Sequence, residues 1–117
     1  ASNPLVNKMQ GDARKSVRDS LAKVYGRAKG IASAKSLEDV EQITKKKVPG
    51  LDKLKQLPDK ERGEVGQKVM AGVKKSALRL YANGLEARVK QAVKAGVPQD
   101  HPYVADHVKT LQKIKAL

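Results

Sequence analysis

The sequence predicts an all-α fold in which two long helices form an antiparallel helical hairpin or coiled coil, with shorter helices packed on it. Apolar residues recur every three or four positions over long segments, and no segment of useful length alternates apolar and polar residues like a strand. The aromatic residues are three tyrosines, which suits a Val/Leu/Ala seam between helices better than a large globular core. The length of 117 residues fits a single helical domain spanning 1–117.

The first helix is predicted over residues 5–34, because its apolar residues all fall on one helical face. Three glycines in this segment weaken the prediction, each by about 1 kcal/mol relative to alanine. The seam consists of Val6, Met9, Ala13, Val17, Leu21, Val24, Ala28 and Ile31.

The second helix is predicted over residues 36–48. Ser36 is a favourable N-cap, and Asp39 follows three residues later as an imperfect capping box. Acidic residues lie near the start of the segment and lysines at its end, which matches the helix dipole. Pro49 and Gly50 then stop the helix.

A short helical turn over 51–57 leads to a third long helix over 59–95, opened by Pro58 and ended near Gly96. Two apolar stripes on this helix imply two neighbours, or a face that changes partner along its length. The first stripe is Val65, Val69, Val73, Ala77 and Leu80, and the second is Leu78, Tyr81, Leu85, Val89 and Ala92.

The last helix is predicted over residues 102–116, with Asp100 near its cap position. Its apolar face is formed by Val104, Val108, Leu111 and Ile114.

Absent residue types exclude several functional classes. The chain has no cysteine, which rules out a disulfide scaffold, a thiolate zinc site and a thiol nucleophile. No apolar stretch reaches the roughly 18 residues of a membrane span, and the N-terminus has no signal-peptide core. We therefore expect a cytoplasmic location and no membrane span, and we predict no cofactor and no metal.

The positive charge predicts a polyanionic partner. The chain has 25 Lys and Arg against 12 Asp and Glu, a net charge of +13. Nucleic acid is favoured, with an anionic membrane surface or an acidic protein as alternatives. Because few aromatic residues are available to stack unpaired bases, we expect contacts with the phosphates of a structured nucleic acid. The predicted contact residues are Arg14, Lys15, Arg18, Lys45, Lys46, Lys47, Lys74, Lys75, Arg79 and Arg88.

Residues 36–91 resemble a known family. The segment contains Ser36-Leu37-Glu38, a basic run from Lys45 to Gly50, Leu54 to Leu57 with Pro58 and Arg62, Val65-Gly66, and Leu85-Glu86 with Arg88. In this order the motifs resemble the N-terminal coiled-coil region of the bacterial phenylalanyl-tRNA synthetase alpha subunit. The resemblance implies a non-catalytic antiparallel arm that lies against tRNA. It does not extend to Val97–Leu117, and a convergent helical hairpin with the same caps and turns is the alternative.

Three other functions stay open. The apolar stripes of the third helix could bury a homodimer seam or a partner helix in a structural protein. A helical dimer that binds double-stranded RNA or DNA would combine both ideas. A small tRNA-directed ribonuclease would use His101 and His107, although two histidines six residues apart do not share a helical face.

Overall fold

The structure, a computed structural model, describes residues 4–117, with side chains from Gln10 onward. Within this range the chain is all-helical and contains no strand, which confirms the predicted class. The helices are α1 (Pro4–Ala32), α2 (Leu37–Thr44), α3 (Leu51–Lys55), α4 (Asp59–Lys94) and α5 (Pro102–Lys115). The molecule measures 71 × 24 × 20 Å, an elongation set by the two long helices α1 and α4. The predicted seam positions Val6 and Met9 lie outside the described side chains.

Helix α2 ends four residues earlier than the predicted 36–48. Ser36 caps its start, since the Ser36 hydroxyl accepts a hydrogen bond of 3.1 Å from the Asp39 amide. Its end is at Thr44, because Lys45 takes the left-handed conformation with a φ of 60°. Lys45 is therefore the C-cap at the end of α2, and Lys46 and Lys47 lie in the loop that follows.

Helix α5 is capped by His101, the residue directly after Asp100, which was predicted to lie near the cap position. Asp100 is exposed, and His101 is the capping residue. The His101 Nδ1 atom accepts a hydrogen bond of 3.1 Å from the Tyr103 amide. Pro102 fills the first position of the helix, where its missing amide hydrogen would have no intrahelical partner.

The core consists of two clusters, which α4 joins. The α2 cluster gathers the end of α1, α2, α3 and the first half of α4, and its buried members are Ile31, Ala34, Leu37, Val40, Val48, Leu51 and Ala77. The α5 cluster gathers α1, the second half of α4 and α5, and its buried members are Leu21, Ala28, Ala82, Leu85, Leu111 and Ile114. Leu78 and Tyr81 pack against both clusters.

The buried face of α4 therefore changes partner along the helix, which was one of the two predicted alternatives. Val69 and Val73 pack on the α2 cluster, whereas Leu85 is buried in the α5 cluster. Val65 and Leu80 depart from the predicted stripe, because 41% and 61% of their surfaces are exposed.

Helix α5 runs in the same direction as α1. Near the start of α5, Asp106 faces Arg18, and near its end, Lys113 lies over the ring of Tyr25. Because the residue numbers increase together along both helices, the two helices are parallel neighbours.

Candidate nucleic-acid interface

The predicted cations of α1 differ in their availability. Arg14 and Lys15 are exposed. The Arg18 guanidinium forms an ion pair of 3.5 Å with Asp106 of α5. Arg18 therefore helps to hold α5 against α1, and its positive charge is partly neutralised.

The three lysines 45–47 are exposed on an ordered loop between α2 and α3. The Val48 amide donates a hydrogen bond of 3.0 Å to the Glu41 carboxylate, and Val48 itself is buried. The Lys46 amide donates to the Thr44 hydroxyl over 3.3 Å. These bonds fix the backbone from which the lysine side chains project.

The predicted cations of α4 point in different directions and have different contacts. The Lys74 ammonium donates a hydrogen bond of 3.2 Å to the Ala32 carbonyl at the end of α1, which gives Lys74 a structural role. Lys75 and Arg79 are exposed. Arg88 is also exposed, but it is nine residues from Arg79 and so projects from the opposite side of the helix.

Four cations share one exposed side of α4. Spacings of seven, four and eleven residues return each member to nearly the same angle around the helix. The members, which we call the α4 cationic strip, are Lys68, Lys75, Arg79 and Lys90. Between Lys68 and Lys90 the helix rises about 33 Å. The strip is therefore long enough for several phosphate contacts.

The acid on this side of α4 within the strip is neutralised by α5. Glu86 lies between Arg79 and Lys90, and its carboxylate accepts from the Lys115 ammonium over 3.0 Å. No strip member forms an ion pair with any described residue. The strip thus keeps its positive charge along its length.

Sequence reasoning selected Lys75 and Arg79 but passed over Lys68 and Lys90. Rotation around α4 brings Lys68 and Lys90 to the same side as Lys75 and Arg79, although they are distant in sequence. The role of Lys115 required knowledge of how α5 packs, which no local pattern provides.

A groove separates α4 from the lysine loop. Its floor includes Val73 and Ala77, and Gly72 and Ser76 form its α4 edge. Lys46 and Lys47 line the other edge. Lys75 and Arg79 lie one helical row further out on α4, so cations flank both sides of this groove.

The two histidines have separate environments. His107 is 1% exposed, its Nδ1 atom donates to the Tyr103 carbonyl over 2.8 Å, and its Nε2 atom is buried without a partner among the described residues. His101 is exposed at the surface and caps α5. A general acid or base must reach the atom it protonates, and the burial of His107 keeps its ring away from any bound phosphate.

Among the residues that the structure describes, no group of three His, Cys, Asp or Glu side chains is placed to hold a metal ion. None of the helices in the described range is long and apolar enough to cross a bilayer. No family model, curated protein or solved structure matches this chain significantly.

Proposed function

We propose that this chain is a non-catalytic RNA-binding helical module that contacts the phosphate backbone of structured RNA. The α4 cationic strip carries the proposal. It presents four exposed cations over about 33 Å on a rigid helix. Such a surface neutralises phosphates without reading bases, because lysines and arginines on one face supply charge and position.

The composition supports backbone contact over base stacking. Tyr25 and Tyr81 are half-buried and pack on the core clusters, as expected for core residues. Tyr103 stacks on the buried His107 ring, with 4.3 Å between the ring centroids. None of these rings belongs to the strip, so a base unstacked from RNA would find no aromatic platform there.

The proposal extends to the arrangement of the long helices as an antiparallel hairpin or coiled coil. Two contacts support it. Ile31 of α1 shares a cluster with Ala77 of α4, whereas Leu21 shares the other cluster with Leu85. Residue numbers along α4 therefore increase in the direction in which those along α1 decrease, which supports an antiparallel pair with the shorter helices packed alongside.

The resemblance to the synthetase arm makes tRNA the favoured ligand and the cytoplasm the expected location. The test is a salt-titrated binding assay with tRNA, double-stranded RNA, duplex DNA and heparin. We expect tRNA binding that persists at about 0.15 M salt and exceeds binding to the other three. Equal binding to all four would reduce the function to general polyanion binding, and absence of binding would refute it.

A matched pair of triple variants tests the interface itself. The strip variant combines Lys68→Ala, Lys75→Ala and Lys90→Ala. The control combines Lys53→Ala, Lys60→Ala and Lys109→Ala, which removes the same charge at exposed positions outside the strip. We expect the strip variant to lower the salt-dependence slope by about one unit for each lost contact, and the control to change it little. Equal losses in the two variants would show that net charge, and not the strip, governs binding.

A further inference from the structure

Helix α4 has an exposed apolar face beside the cationic strip. Val65 is 41% exposed and Leu80 is 61% exposed. Gly72 and Ser76 lie between them, and spacings of seven, four and four residues keep all four on one side of the helix. A Cβ atom added at Gly72 would meet no atom within 4 Å. The face thus consists of two exposed apolar side chains, Val65 and Leu80, separated by the small residues Gly72 and Ser76.

This face also carries opposite charges at its two ends. Glu61 and Glu64 lie just before Val65, and neither carboxylate forms an ion pair with another described residue. Arg79 lies next to Leu80 at the other end. The face therefore has an acid beside Val65 at one end and a base beside Leu80 at the other, with the strip lysines Lys68 and Lys75 alongside it between the two ends.

We propose that two copies of this chain associate through α4, packed antiparallel about a two-fold axis near Gly72. Val65 lies seven residues before Gly72 and Leu80 eight residues after it, so each Leu80 meets Val65 of the second copy. Glu64 of one copy comes within about one turn of Arg79 of the other. Because Gly72 and Ser76 are small, the two helices can approach closely at the axis.

The order of features favours a second copy over an unrelated protein. Reversing this face exchanges Glu64 with Arg79 and Val65 with Leu80, so its two ends are complementary to those of a second copy, as a two-fold dimer requires. The strip lysines Lys68 and Lys75 lie between these ends and repel across the pair, and the net charge of +13 also opposes association. At 0.15 M salt, charges further apart than about 8 Å are largely screened, and burial of Val65 and Leu80 supplies the attraction.

The dimer would double the RNA-binding surface. A two-fold axis that exchanges two antiparallel helices is perpendicular to both, so the same side of each helix faces the same way. The cationic strip runs beside the apolar face on one side only. Both strips therefore lie on one surface of the dimer. This consequence rests on the proposed function, whereas the dimer itself does not.

A cysteine substitution tests the axis directly, because the natural chain has no cysteine. Gly72→Cys should give a disulfide-linked dimer on mild oxidation without nucleic acid. Gly84→Cys is the matched control, since its added Cβ also meets no atom within 4 Å. The two copies of residue 84 would be separated by about 36 Å in the antiparallel pair. Cross-linking of both variants, or of neither, would overturn the proposal.

Sedimentation at about 0.15 M salt tests the contacts. We expect Leu80→Glu to weaken dimerisation by about 100-fold, since the dimer buries Leu80 twice. Val93→Glu, at a 42% exposed position of α4 outside the face, should change it little. A wild-type chain that stays monomeric at millimolar concentration, or equal effects of the two folded variants, would also overturn the dimer.

Charge exchange gives a positive test of direction. Glu64→Lys and Arg79→Glu should each weaken self-association by about tenfold, because each places like charges together twice. An equimolar mixture of the two variants should associate as strongly as wild type. Failure of the mixture to recover would contradict the antiparallel pairing. The RNA assay with the strip variants is separate, so either proposal can fail while the other stands.

Discussion

The α2 cluster and the α5 cluster are built in different ways. Around the α5 cluster, α4 is covered by the 29-residue helix α1 and the 14-residue helix α5. Ion pairs of 3.5 Å and 3.0 Å tie α5 to its neighbours. Around the α2 cluster, α4 meets the short helices α2 and α3 together with the end of α1. Hydrogen bonds at caps and loops, such as that from Val48 to Glu41, hold this half together with the Lys55–Glu38 ion pair of 3.4 Å.

This difference determines which part of α4 carries the proposed functional surfaces. Short helices cover a shorter length of α4 than long ones, so the part of α4 beside α2 and α3 leaves Gly72, Leu80 and the groove beside them open. The lysine loop flanks that groove. The α5 half thus serves mainly as a packed support, and the α2 half presents most of the candidate contacts.

We expect the largest effect on the free energy of unfolding from a substitution in the core of the α5 half. Leu85 is 2% exposed and buried in the α5 cluster. Leu85→Ala should lower the free energy of unfolding by about 2–5 kcal/mol, because it removes buried methyl groups and leaves a cavity. Chemical denaturation followed by circular dichroism measures this change.

The folded fraction of Leu85→Ala should still bind RNA with the wild-type salt slope. The α4 cationic strip lies on a solvent-facing side of the helix, rotated by about 80–140° from Leu85, and keeps its charges. A changed salt slope of RNA binding in the folded variant would mean that packing in the α5 half also affects the contacts made by the strip.

Two neighbouring lysines give a sharper comparison within the α2 half. Lys74→Met keeps the aliphatic stem but removes the ammonium that donates to the Ala32 carbonyl, so the free energy of unfolding should fall by about 1 kcal/mol. Lys75→Met should leave the free energy of unfolding nearly unchanged and reduce the salt slope of RNA binding by about one unit.

Denaturation and salt-titrated binding of both variants separate the two roles. If Lys74→Met lowered the salt slope as much as Lys75→Met, Lys74 would belong to the RNA contact surface despite its bond to α1.

The sequence predicted the helices far better than the surface that they form. The three-or-four spacing from Val17 to Ile31 and the Ser36 cap are local, and helix geometry turns them directly into structure. The end of α2 depended on the left-handed conformation of Lys45, for which a three-lysine run gives no signal. The burial of His107 and the different partners of Lys74 and Arg18 depend on contacts between residues distant in sequence. For the same reason the ten predicted cations divide among several surfaces.

The smallest expected effect concerns two glycines of α1 on either side of the boundary between the clusters. Gly26→Ala should raise the free energy of unfolding by about 0.5–1 kcal/mol, because alanine favours the helix and its Cβ meets no atom within 4 Å. At Gly30 the added Cβ would stand 3.0 Å from the Ile43 Cδ1 atom, so the Ile43 side chain must move by a few tenths of an ångström to accommodate it. We expect Gly30→Ala to gain less than Gly26→Ala, or to destabilise the chain, in thermal or chemical unfolding. An equal gain in both variants would show that the Ile43 side chain moves aside without loss, and that the α2 half is packed more loosely than its contacts indicate.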